Sequence, residues 1–286
     1  MARVRSVDRR GVLARVLGAA AMLALAGCTT VPNAPATQPA LAGEVVTLPA
    51  VGNGEVVQAQ VWSPPDPRAV ALLAGDSSNR PEGYGALVER LVGMGLVVIA
   101  PDGAGLQTFL SAENRTRQGV ARLGSAALYA KDRFAGLPVV AVGHGSGSLN
   151  AMALSGALTE VGEFTEPTPR GIIAFSAPAG TERLAGIDAV TTVGVPVLLV
   201  AGSEDRLPAE RLLAAGGAEA EADSYALVLA GGGPDLVEDA ALVDRAWPVI
   251  DLFVQAYLFD IFTAGDVLED WQATGEDRFQ ARRGGQ

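Results

Sequence analysis

The stretch VVAVGHGSGS, Val139 to Ser148, decides how this chain is read. Four apolar residues with β-branched character run into a turn containing three glycines and the only histidine of the 286-residue chain. Such a turn can expose a nucleophile, cradle a phosphate or do neither. A Walker loop is excluded, because no Gly-Lys-Ser or Gly-Lys-Thr occurs. A dinucleotide fingerprint fits poorly. Its third glycine is replaced by Ser148, and the next strand ends Ala174-Phe175-Ser176 without the acidic residue that would hold a ribose.

Outward from this turn, short apolar runs alternate with helical patterns. The runs are EVVTL, EVVQAQVW, AVALLAG, LVVIAPD, PVVAVG, GIIAFS, PVLLVAG and YALVLAG. From the third onward they are continuously apolar, as parallel strands covered on both faces must be, whereas EVVQAQVW alternates like a half-exposed antiparallel strand. Helices are expected over residues 84–94, 112–134, 148–161, 208–215 and 247–258. The expectation is one α/β domain over residues 44–262, a doubly wound, mostly parallel sheet of eight strands with helices on both faces. Residues 263–286 are polar, mixed in sign and expected to form a weakly ordered tail.

Two antiparallel strands followed by a parallel sheet in this order resemble the α/β-hydrolase fold of serine esterases and dienelactone-hydrolase-like enzymes. Ala74-Gly75 stands where that family has its oxyanion turn, VVIAPDGAG resembles its strand-four turn, and PVVAVGHGSGS stands at the nucleophile elbow. PVLLVAGSEDRLP resembles the strand carrying the catalytic acid, and YALVLAGGGP ends where the catalytic histidine normally follows the last strand. The connection from Ala177 to Pro196 is too short for a large cap domain.

In an elbow the nucleophile stands between two small residues, so that the strand can turn sharply into a helix. Gly143 and Gly147 occupy the small positions, which puts Gly145 at the nucleophile position. The same alignment makes Asp205 the acid and places Pro234 where the histidine belongs. A hydroxyl without a base and a base without a hydroxyl are equally inert, and this sequence lacks both at the family positions. His144 precedes the tip and is expected to point under the oxyanion turn. Ser146, one residue after the tip, is the remaining candidate nucleophile, with Asp205 as its acid. Gly75, Asp76, His144, Gly145 and Ser146 are the expected pocket residues. A carboxylate at Asp76 opposes negative charge in an oxyanion hole. The resemblance thus implies a ligand- or partner-binding pseudoenzyme or, as the alternative, a hydrolase of carboxylic esters working through Ser146.

The amino terminus is a targeting segment. Five arginines precede an apolar run from Val16 to Ala26, too short to span a bilayer as an ordinary helix. The run ends Leu25-Ala26-Gly27-Cys28, which resembles the lipobox of bacterial lipoproteins, and Cys28 is the only cysteine. Residues 1–27 read as the signal peptide, Cys28 as the lipidated residue, and residues 28–43, rich in proline, alanine and threonine, as a tether. Thr29 after the cysteine, where aspartate signals inner-membrane retention, implies the periplasmic face of an outer membrane in a host with two membranes. Removing residues 1–27 takes five arginines and one aspartate from the 21 basic and 32 acidic residues, leaving the mature chain near −15. That charge excludes a nucleic-acid partner and makes the lipid the anchor. No cofactor is implied, and a structural zinc site is excluded by the single cysteine and histidine.

Overall fold

The computed structural model describes residues 42–50, 56–76, 81–103, 110–161, 168–179, 184, 186–217 and 221–284. The signal peptide, Cys28 and the tether up to residue 41 lie outside the described residues.

Strands β1 (Glu44–Thr47), β2 (Gln58–Trp62), β3 (Ala69–Ala74), β4 (Leu96–Pro101), β5 (Val139–His144), β6 (Gly171–Phe175), β7 (Val197–Gly202), β8 (Ser224–Leu229) and β9 (Arg278–Arg282) form a single sheet. Its spatial order is β1-β2-β4-β3-β5-β6-β7-β8-β9. β1 is antiparallel to β2 and β2 to β4, while β3 to β8 are mutually parallel. The continuous apolar runs are thereby explained, since β3 and β5 to β8 are buried at every residue.

The helices are α1 (Gly85–Gly93), α2 (Ala112–Arg133), α3 (Ser146–Leu154), α4 (Ala209–Gly216), α5 (Ala240–Tyr257) and α6 (Phe262–Glu269). α1 and α5 cover one face of the sheet, where Leu87, Leu91, Ile250 and Phe253 meet the alternate strand residues Leu73, Val98 and Val142. α2, α3 and α4 cover the other face, against Val70, Leu72, Ala141 and Leu199. α5 starts seven residues before its apolar periodicity suggests, because the Asp239 carboxylate caps it by accepting the N–H groups of Ala241 and Leu242.

Residues 263–286 depart from the sequence expectation. They carry most of α6 and a ninth strand, β9, paired antiparallel with β8. The polar composition concealed an alternating edge strand: Phe279 stacks on Tyr225 with ring centroids 6.3 Å apart, and Trp271 meets Phe279 edge-on at 5.0 Å. The charges between them are paired, Arg245 with Asp277 and Arg283 with Glu269. Burial pushes the Tyr225 hydroxyl up to about 12 and the Tyr257 hydroxyl higher still, so both keep their protons. Tyr257 donates to Asp223 Oδ2 at 2.6 Å and Tyr225 donates to Tyr257 at 2.6 Å. The Gly284 N–H donates to Asp223 Oδ1 at 2.8 Å, which fastens the chain after β9.

Among the described residues between β6 and β7, a 3-10 segment, Gly186–Thr192, packs by Ile187, Ala189 and Val190 onto the α4 side. The carboxyl ends of β3, β5, β6 and β7 open into a cavity, and among the described residues no cap domain lies over it.

Candidate active site

β5 runs directly into α3 through Gly145, whose φ of +55° and ψ of −123° belong to the region that side-chain-bearing residues avoid. Its N–H donates to the Phe175 carbonyl at 2.9 Å, so the turn hangs from the neighbouring strand. The flanking small residues are required by contact. A Cβ on Gly143 would lie 2.5 Å from the Gly147 carbonyl oxygen, and one on Gly147 would lie 2.0 Å from the Ala74 carbonyl oxygen. This is a nucleophile elbow with glycine at its tip. A Cβ on Gly145 would face the Asp76 carboxyl, 3.0 Å from both Cγ and Oδ2.

Asp76 follows β3 on the turn where the resemblance places oxyanion donors. Its N–H, the group that would face an oxyanion, donates instead to the Tyr84 hydroxyl at 2.9 Å. The Tyr84 hydroxyl lies 3.1 Å from His144 Nδ1, and His144 Nε2 lies 2.8 Å from the Pro234 carbonyl oxygen. A carbonyl only accepts, so Nε2 carries the imidazole proton and Nδ1 accepts from Tyr84. Tyr84 is 1% exposed and His144 2%, and their rings meet edge-on with centroids 5.7 Å apart. Both nitrogens of the one histidine are thus occupied in a brace that joins the oxyanion turn to the loop after β8. No signal in the sequence marked Tyr84 as the middle of that brace.

Ser146 Oγ donates to Asp76 Oδ1 at 2.7 Å. The base nearest Ser146 is therefore the Asp76 carboxylate and not Asp205, with which the sequence reading had paired it. Asp205 stands three residues beyond β7. Its Oδ1 accepts the Arg206 N–H at 2.6 Å, while Oδ2 is buried and has no hydrogen-bond partner among the described residues. Pro234, which lines the same cavity, offers no N–H to that oxygen and no group that could orient a base.

A carboxylate oxygen buried without a donor lowers stability. Asp205→Asn is therefore expected to leave the thermal midpoint unchanged or to raise it, by up to about 1 kcal/mol in unfolding free energy. A loss above about 2 kcal/mol in chemical denaturation would reveal a structural donor to Oδ2 and refute the expectation.

Ser176 is a site residue that the apolar run GIIAFS did not single out. It follows β6 at a φ of +46°, uncommon for a residue with a side chain. Its N–H donates to the Val200 carbonyl at 2.8 Å, its side chain is 7% exposed, and its Oγ has no partner among the described residues. Ser148, by contrast, is structural, because its hydroxyl donates to the Phe175 carbonyl at 3.0 Å.

The structure brings Asp76, His144, Gly145, Ser146, Asp205 and Pro234 to one cavity of about 870 Å³, and adds Ser176 to them. Arg115, Arg206, Asp235 and Glu238 give the walls charges of both signs. Gly75 lies behind this wall, where a Cβ would stand 2.7 Å from the Tyr84 hydroxyl. No cluster of three or more histidine, cysteine, aspartate or glutamate side chains suited to a metal occurs among the described residues.

The strand order, the elbow and the acid after β7 define an α/β-hydrolase fold. Solved structures with the same fold include the esterase domain of a Rhodothermus marinus protein, with a TM-score of 0.55 and 16% identity, covering 76% of this chain and 99% of that one. An alpha-beta serine hydrolase homologue from Coxiella burnetii aligns with a TM-score of 0.51 and 12% identity over 80% of this chain and 97% of its own. A predicted CIB-like hydrolase from Thermoplasma acidophilum aligns with 0.51 and 16% over 74% and 98%. No protein-family model and no curated protein matches the sequence. Likeness at this level establishes the fold, and the chemistry has to be argued from the residues of this chain.

Proposed function

We propose that this chain is a lipid-anchored bacterial cell-envelope protein, held at the membrane through Cys28, whose α/β-hydrolase-fold domain binds a small-molecule or protein ligand at the cavity above Gly145 and performs no serine-dependent acyl transfer. The observation that carries this reading is the Asp76 carboxylate beside the elbow, hydrogen-bonded to Ser146. Acyl transfer places a growing negative charge on the acyl oxygen beside the oxyanion turn, where one donor contributes about 3–4 kcal/mol to catalysis. Here the donor is given to Tyr84 and a negative charge already stands close by. Gly145 supplies no nucleophile, and His144, fixed between Tyr84 and Pro234, supplies no mobile base.

The 2.7 Å bond from Ser146 to Asp76 also defines the competing reading, a hydrolase of carboxylic esters with Ser146 as nucleophile and Asp76 as base. That mechanism requires the carboxylate to remove the proton and then to stand beside the oxyanion it has helped create, two demands that oppose each other. The mature protein is expected to hydrolyse activated aryl esters no faster than its Ser146→Ala variant and to resist a fluorophosphonate probe. Stoichiometric labelling at Ser146 would establish the hydrolase instead. The lipobox and the cysteine at its end support the envelope location, and Thr29 supports the periplasmic face of an outer membrane where the host has one.

A further inference from the structure

β1 is antiparallel to β2 and β2 to β4, which brings Glu44 level with the fourth residues of β3 and β4 and, across the sheet, with the first residues of β7 and β8, at the end where those two strands begin. The last residue before β1, Gly43, lies against the Trp62 indole at that end, where a Cβ would come 2.7 Å from the ring. The cavity lies at the opposite end of the strands, about 20 Å away by strand rise. Gly43, the last residue before β1, therefore lies nearer the starting ends of β7 and β8 than the strand ends that line the cavity.

Near the ends where β3 and β6 begin, the chain presents the most exposed large apolar side chain among the described residues. After α5 it turns at Asp260, with a φ of +55°, and projects Ile261 and Phe262, which are 37% and 88% exposed. The turn is fixed on both sides. Asp260 accepts from Arg170, the residue before β6, at 3.0 Å, and the guanidinium of Arg68, the residue before β3, lies 3.8 Å over the Phe259 ring. The Ile261 N–H donates to the Gln255 carbonyl at 3.0 Å. A strained, braced turn holding an exposed phenylalanine needs little further ordering to enter an apolar medium.

We infer that Ile261 and Phe262 dock on the bilayer that carries the lipid anchor, so that the domain rests on the membrane by the starting ends of its strands and holds the cavity away from it. The inference rests on the proposed lipidation of Cys28. The occupant follows from where the tether joins and from its length, 15 residues between Cys28 and Glu44, which reach about 50 Å when extended and about half that when relaxed. Within that reach the bilayer is present at high effective concentration, so two apolar side chains suffice although they would not recruit a free protein.

The lipidated protein makes the test direct, because Cys28 is the only cysteine and its thiol is consumed by the lipid. Phe262→Cys and, at the cavity end, Glu204→Cys each add one free thiol at an exposed site for an environment-sensitive fluorophore. Reconstituted into phosphatidylethanolamine–phosphatidylglycerol vesicles, the probe at position 262 is expected to shift to the blue and to lose emission when brominated acyl chains are included. The probe at position 204 is expected to do neither. Wild-type protein is expected to take no label. Aqueous emission at both positions, or quenching at position 204, overturns the docking while leaving the anchor intact. Labelling of wild-type Cys28 overturns the anchor, and the docking with it.

Discussion

Gly147→Ala is expected to remove most or all of the domain's stability, at least about 4 kcal/mol in chemical denaturation. The new Cβ would stand 2.0 Å from the Ala74 carbonyl oxygen and 2.7 Å from that of Gly75, both backbone atoms of the oxyanion turn. Ala74 cannot move without parting β3 from β5, which pair from Val70–Val139 to Ala74–Gly143. Gly145→Ser, two residues away, is expected to behave differently. Its strain comes from a φ of +55° and from contact at 3.0 Å with the Asp76 carboxyl, a side chain that can swing aside. A loss of about 1–3 kcal/mol, with no esterase activity gained, is expected there. An alanine at position 147 tolerated within about 1 kcal/mol would mean that strand and helix do not meet at an elbow.

Gly202→Ala is expected to be as damaging, again at least about 4 kcal/mol, and for a reason local to the second half of the site. The end of β7 crosses the loop after β8 so closely that a Cβ at position 202 would lie 1.9 Å from the Gly232 carbonyl oxygen. The crossing is laced by the Glu204 N–H to that same oxygen at 2.8 Å and by the Gly231 N–H to Ser203 Oγ at 2.9 Å. It sets the spacing between Asp205 and Pro234. A variant that stayed folded would have to part these loops, so the measurement pairs the unfolding midpoint with near-ultraviolet circular dichroism. Retention of both signals would refute the crossing.

These contacts show which parts of the site were legible in the sequence. The spacing of Gly143 and Gly147 revealed the elbow because close backbone approach leaves a residue signature at fixed positions. Six of the apolar runs revealed strands for the same reason, since burial on both faces acts on composition directly, while EVVQAQVW was read from its half-exposed alternation. β9 escaped because an edge strand with one wet face looks polar, and its partners on Tyr225 lie more than fifty residues away in sequence. Tyr84 and Ser176 escaped because their importance lies in a third dimension. One is the hydroxyl between Asp76 and His144, and the other is a hydroxyl at the end of a strand read only for its apolar residues. Asp76 was legible as an objection to catalysis, but its bond to Ser146 depended on a side-chain direction that spacing does not encode.

The brace from Asp76 through Tyr84 and His144 to the Pro234 carbonyl also bears on how such a site can change over evolutionary time. On the proposed reading, ester hydrolysis through the triad that the resemblance implies would need a hydroxyl at position 145, an imidazole at position 234 and an uncharged residue at position 76. None of these changes helps without the others, and the first carries a strain of its own. Selection for hydrolysis would meet a plateau with no uphill first step. The imidazole already present offers no shortcut, because releasing His144 for other work would untie the loops it holds. On the proposed binding role, the brace holds the loops around the cavity in place independently of what the cavity takes up.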